Sequence, residues 1–79
     1  MNIENKEIAK EIMDFLARNK KEYFSIREIA SEVNGNFYKV TSICTALVEE
    51  NQIKKAVDKH GMNVYKFKKT IIKFKKRGI

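Results

Sequence analysis

The sequence predicts a small, mostly helical α+β fold in which three helices and a short strand precede a C-terminal β-hairpin. Apolar residues recur at three- and four-residue spacing as far as Val48, which is the period of a buried helix face. After Asn51 the period becomes two, as in strands. The 79 residues include no proline and no Gly/Ser linker, so we expect one domain over 1–69, followed by a basic tail at 70–79.

The first helix is expected over about 3–19, because its apolar residues share one face of a helix. They are Ile8, Ile12, Phe15 and Leu16. The polar and basic run 18–21 is typical of a helix end. The aromatic segment Tyr23-Phe24-Ser25 that follows predicts a short strand.

The second helix has the sharpest start signal in the chain. Ser25-Ile26-Arg27-Glu28 is a capping box, in which the Ser25 hydroxyl accepts from the Glu28 amide and the Glu28 carboxylate accepts from the Ser25 amide. Asn34-Gly35 predicts the end of this helix, since both residues tolerate positive φ.

A third helix is expected over about 37–50, with Asn36 as its N-cap and Asn51 in a left-handed position after it. Its buried stripe is predicted to be Val40, Ile43, Cys44, Leu47 and Val48. Cys44 is therefore expected to be a small buried side chain rather than a redox sensor.

Two strands are predicted over 53–57 and 64–68, with the turn-rich stretch 58–63 between them. Tyr65 and Phe67 alternate with lysines, which places both aromatic rings on one face of the hairpin. We expect them mainly to cover the core.

The charge of the chain is unevenly distributed. Residues 1–51 carry seven Lys/Arg against nine Asp/Glu, a net charge of −2, whereas residues 52–79 carry ten against one, a net charge of +9. A nearly neutral body with a cationic C-terminal third favours a polyanionic partner, usually nucleic acid, with an anionic membrane surface or a merely solubilising charge as the alternatives.

Several other classes of protein are disfavoured. No stretch of about 18 uncharged apolar residues predicts a membrane span, and the acidic, polar N-terminus predicts no signal peptide, so we expect a cytoplasmic protein. One cysteine and one histidine cannot form a structural zinc site within the chain. No phosphate-binding loop or nucleophile set is present, so we expect neither an enzyme nor a cofactor or small-molecule substrate.

The stretch Phe24–Phe67 resembles the winged helix-turn-helix superfamily of bacterial, archaeal and phage regulators. Residues 25–30 are similar to the first helix of the motif, 34–36 to its turn and 38–47 to its recognition helix. Residues 48–55 resemble the passage into the wing, with Asn51 where the family often has glycine. The resemblance implies a recognition helix at about 37–50 in the major groove and a wing at 53–68 on the backbone or minor groove.

The candidate DNA-binding residues fall into three groups. The helix-turn-helix contributes polar or basic side chains expected to face outward: Arg27, Asn36, Tyr38, Lys39, Thr41, Ser42 and Thr45. The hairpin contributes Lys54, Lys55, Lys59, His60, Asn63 and Lys66, although its lysines are also consistent with protection of the sheet edge. The tail contributes Lys75, Lys76 and Arg77, in a segment equally consistent with a dimerisation element or a disordered arm.

Together these features predict a sequence-specific regulator of transcription that binds double-stranded DNA. We expect it to be a repressor rather than an activator. We expect a homodimer, because one recognition helix reads few base pairs and a two-fold pair doubles the site. Two alternatives remain: a winged-helix adaptor that binds another protein, and an RNA- or single-strand-binding protein that uses the basic hairpin.

Overall fold

The computed structural model describes residues 3–68, which form three helices and a three-stranded antiparallel sheet. The elements in chain order are α1 (Ile3–Arg18), β1 (Phe24–Ser25), α2 (Ile26–Glu32), α3 (Phe37–Glu49), β2 (Ile53–Val57) and β3 (Asn63–Phe67). This α+β architecture confirms the predicted order of elements. The tail at 70–79 lies outside the described residues.

Helix α1 supplies one wall of the core. Ile12 and Leu16 are fully buried and Phe15 is nearly so, whereas Ile8 packs against the core from its edge. The solvent side carries the Lys10–Asp14 ion pair at 3.3 Å, one helical turn apart. No helix within 3–68 is long and apolar enough to cross a membrane.

Helix α2 begins with the predicted capping box. The Glu28 amide donates to the Ser25 hydroxyl at 3.2 Å, and the Ser25 amide donates to the Glu28 carboxylate at 2.9 Å. The helix ends at Glu32, two residues before the predicted signal, and Asn34 takes the positive φ of 54°. A Cβ on Gly35 would lie 2.9 Å from a methyl group of Val40, so glycine is needed here for close approach of the two helices.

Helix α3 begins at Asn36, whose side chain accepts from the Tyr38 and Lys39 amides, as expected of an N-cap. Val40, Ile43, Cys44 and Leu47 are buried, and Val48 is half-buried, which confirms the predicted stripe. After the helix Asn51 adopts a φ of 62°, the left-handed conformation predicted for it.

The sheet has the strand order β1-β3-β2, so the short strand β1 pairs with β3 rather than with its neighbour in sequence. Phe24 lies opposite Tyr65, and β2 pairs with β3 from Ile53↔Phe67 to Val57↔Asn63, which sets β3 one residue earlier than predicted. Ile53 and Tyr65 are buried and Phe67 packs against the core, so this inner face of the sheet meets the helices. By strand alternation the outer face carries Lys54, Ala56, Val64 and Lys66.

Cys44 lies in the middle of this core, fully buried on α3. Loss of solvation raises the pKa of its thiol from 9.0 to about 12, so the thiol is neutral at physiological pH. The contribution of the neutral thiol to stability is present below pH 9 and is lost as the pH rises towards 12, because the folded form binds its proton more tightly than the unfolded form.

We therefore expect Cys44 in the folded protein at pH 8 to react with iodoacetamide at least about 100-fold more slowly than in urea-unfolded protein, since only the exposed thiolate is nucleophilic. Mass spectrometry of quenched samples measures both rates. Equal rates in the two states would contradict burial of the thiol.

Candidate nucleic-acid interface

A groove separates the N-terminal ends of α2 and α3 from the β2–β3 turn, and we call it the tip groove. It encloses about 310 Å³. The residues that line it are Ser25, Ile26, Arg27, Phe37, Thr41, Gly61, Met62, Asn63 and Tyr65. The first turns of two consecutive helices therefore meet the hairpin, which lies about 25 residues further along the chain, at this groove.

Three of the predicted site residues lie in the tip groove. Arg27 is exposed on the first turn of α2, Thr41 lies one turn into α3, and Asn63 begins β3. The Thr41 hydroxyl donates to the Phe37 carbonyl at 2.9 Å, so this hydroxyl offers a ligand its acceptor lone pairs rather than its proton. Arg27 supplies the positive charge of the groove wall.

An exposed row on α3 continues from the groove. Tyr38, Ser42 and Thr45 are exposed and follow each other at four- and three-residue spacing, which keeps them on one side of the helix. Tyr38 is 80% exposed, an unusual position for an aromatic ring, and meets the Phe37 ring edge-on at 5.5 Å between centroids. The predicted outward side of α3 is thus largely observed, and it is polar with an aromatic end.

Asn36 and Lys39 were both expected to offer free side chains to a ligand, and the structure limits each of them in a different way. The Asn36 side-chain oxygen is engaged by the Tyr38 and Lys39 amides at 2.8 and 3.1 Å, so its amide nitrogen remains as a donor towards a ligand. Lys39 is half-buried rather than exposed, because it lies closer to the core-facing side than Tyr38 and Ser42 do.

The turn between β2 and β3 is ordered by Asp58. Its carboxylate accepts from the His60 amide at 2.8 Å and from the Met62 amide at 2.9 Å, while its own amide donates to the Met62 carbonyl. The Met62 amide is the main cause that lowers the pKa of the Asp58 carboxyl below 3.8, helped by the amide and charge of His60. Gly61 has a φ of 81°, which residues with an L side chain adopt only with strain.

This ordering holds Lys59 and His60 exposed at the end of the hairpin, beside the tip groove. Lys55 is exposed on β2 and lies opposite Tyr65, on the inner face of the sheet. Lys55 therefore lies on the face of the hairpin that is turned towards the helices, and Lys59 and His60 lie in the turn at its end.

The structure does not bring Lys54 and Lys66 to the tip groove. They lie opposite each other on the outer face and line a cavity of about 330 Å³ with Lys20, Lys21 and Phe67. We call the four lysines the distal lysine cluster. Lys75, Lys76 and Arg77 lie outside the described residues.

Phe37 and Met62 were missed by the sequence reasoning. They are 47% and 56% exposed and line the tip groove, where an apolar side chain is suited to contact a thymine methyl group. The exposure of Phe37 could have been predicted from its position in the first turn of α3, one turn before the buried stripe begins. Within 3–68 no group of three His, Cys, Asp or Glu side chains is placed to hold a metal ion.

Comparison of the chain with models of protein families, with curated proteins and with solved structures found no match.

Proposed function

We propose that this chain is a winged helix-turn-helix protein that binds double-stranded DNA with sequence preference and regulates transcription, as a repressor. The observation that carries the proposal is the meeting of the first turns of α2 and α3 with the β2–β3 turn at one tip groove, next to which the exposed row of α3 begins at Tyr38. In this assignment α3 is the recognition helix and the β2–β3 hairpin is the wing.

The dimensions suit this arrangement. The major groove of B-DNA is about 12 Å wide and admits one α-helix, whose N-terminal residues then contact base edges. The residues available at that end are Tyr38 and Ser42 for bases, with Phe37 for a thymine methyl. A turn beside the helix would then reach the neighbouring phosphates.

Charge supports the same partner. Arg27 on α2 and Lys59 in the turn flank the groove, and both are exposed. Cations that flank a polar helix face are the pattern expected of a protein that positions itself on phosphates and reads bases between them. The net charge of +7 adds long-range attraction to a polyanion.

The proposal also covers the oligomeric state, the location and the absence of catalysis. Two copies related by a two-fold axis would read half-sites about 34 Å apart, so we propose a homodimer on a palindromic operator. A protein of this kind works in the cytoplasm on the nucleoid. The proposed DNA-binding function involves no cofactor and no small-molecule substrate, and it includes no catalysis.

The test is selection of bound duplexes from a random pool, followed by binding of the enriched sequence at several salt concentrations. We expect an enriched palindrome, and we expect Lys59→Gln to reduce the slope of log K against log salt by about 1, because one phosphate contact is lost. Ser31→Ala, at an exposed position on α2 away from the groove lining, is the control.

Competition at fixed salt distinguishes the alternatives. Stronger binding of RNA or single-stranded DNA than of the selected duplex would contradict the proposal and favour the basic hairpin as a single-strand platform. Failure to bind any nucleic acid would leave the adaptor interpretation instead.

A further inference from the structure

The distal lysine cluster is a second cationic surface on the opposite side of the hairpin from the tip groove. Lys54 and Lys66 face each other across β2 and β3, and Lys20 and Lys21 from the α1–β1 connection line the same cavity. Within 3–68 none of these lysines forms an ion pair, and no acidic side chain lines the cavity. Four like charges are thus held together without a counter-charge from the described residues.

Such a cluster opposes folding. Like charges directly opposite each other on antiparallel strands are destabilising, as Lys54 and Lys66 are here. One contact offsets part of this cost, because the Lys66 ammonium lies 5.2 Å from the centre of the Tyr23 ring. An external polyanion would remove the remaining repulsion.

The tip groove and the distal lysine cluster lie on different parts of the hairpin. Adjacent strand residues point to opposite faces, so Lys54 lies on the outer face and Lys55 on the inner face. Lys54 is also four residues from Asp58 in the turn, about 13 Å along the strand. The two surfaces therefore differ both in the face of the sheet and in the end of the hairpin.

We propose that the distal lysine cluster binds the phosphate backbone of a second DNA segment, so that the protein bridges two duplexes. The inference rests on the proposed function, which supplies the first duplex. The cluster contains four lysines and no arginine, and lysine binds phosphate as a point charge without a fixed bidentate geometry. Because duplex DNA carries one negative charge per about 1.7 Å of its axis, clustered lysines match its backbone through charge alone.

The experiment uses the full chain with a biotinylated duplex on beads and a fluorescent duplex of equal length in solution. The protein is present above its Kd for one duplex, which is measured separately by fluorescence anisotropy. Recovery of the fluorescent duplex on the beads measures bridging. Two double variants remove equal charge: Lys20→Gln with Lys21→Gln from the cluster, and Lys55→Gln with Lys59→Gln from the wing.

We expect the cluster variant to lose about tenfold or more of the bridging while its Kd for one duplex changes less than about threefold, since its phosphate contacts are to the second duplex. The wing variant should instead weaken the Kd for one duplex. Thermal unfolding followed by circular dichroism checks that both variants are folded.

Bridging that survives in a folded cluster variant would overturn the inference, because a dimer would then hold the two duplexes through its recognition helices. Wild-type binding of one duplex without bridging would overturn the inference and leave the proposed function intact. Absence of binding to the first duplex would contradict both. Displacement of the second duplex by polyglutamate more readily than by DNA of equal charge would assign the cluster to an acidic protein.

Discussion

Ile29→Ala is expected to lower the free energy of unfolding by about 3 kcal/mol, the usual cost of truncating a fully buried isoleucine and leaving a cavity. Ile29 is fully buried on α2, a helix of seven residues that packs against both other helices and against β1 and β3. The total stability of a chain this size is about 4–12 kcal/mol, so the change removes a large share. Urea unfolding followed by circular dichroism measures this loss of unfolding free energy from the shift of the unfolding midpoint.

The matched control is Ser31→Ala on the same helix, where the side chain is exposed and the change should stay within about 0.5 kcal/mol. Equal effects of the two substitutions would show that α2 does not pack as described. DNA binding should fall with Ile29→Ala in proportion to the unfolded fraction, because Arg27 on the first turn of α2 depends on this packing for its place in the tip groove.

Ser42→Glu is expected to weaken binding of the selected duplex by about 100-fold, because a carboxylate on α3, the proposed recognition helix, would face phosphates of the same charge. Ser42 is exposed in the middle of the row between Tyr38 and Thr45. Stability should be unchanged within about 0.5 kcal/mol, since the position is on the surface. Anisotropy titration at fixed salt measures the loss.

Gln52→Glu adds the same negative charge in the exposed loop after α3 and is the control for net charge. Residue 52 lies beyond the C-terminal end of α3, about 20 Å from its N-terminus at 1.5 Å per residue. We expect less than about a threefold loss there, which reflects weaker steering alone. A loss as large as that of Ser42→Glu would mean that overall charge, and not contact by α3, controls binding.

Much of the fold was predictable because its signals act over short distances. The capping box at Ser25, the Asn36 cap and the left-handed Asn51 each involve residues within about four positions of one another, and all three were predicted correctly. The buried stripe of α3 followed from its period. The end of α2 was predicted in the same way, because Asn34 takes the positive φ after the cap residue Val33 and the Gly35 amide donates to the Ala30 carbonyl at 2.9 Å.

The candidate site was predictable only in part. Tyr38, Ser42 and Thr45 share a helix, so their common side followed from spacing alone. Arg27, Phe37 and Met62 come from three different segments, and their meeting depends on how α2, α3 and the hairpin pack. The half-burial of Lys39 also depends on packing, because the elements that pack against α3 determine how much of each side of this helix is covered.

The amino-acid order alone specified the kind, sequence and caps of the elements and the cationic character of the C-terminal third, because helix period, strand period and capping are local. It did not specify how the lysines are divided between two surfaces. Lys54 and Lys55 are chemically identical neighbours that strand alternation sends to opposite faces, and the packing of the sheet on the helices decides which of these faces is the inner one. Packing of the α1–β1 connection against that hairpin then adds Lys20 and Lys21 to one face, a long-range contact that local signals do not encode.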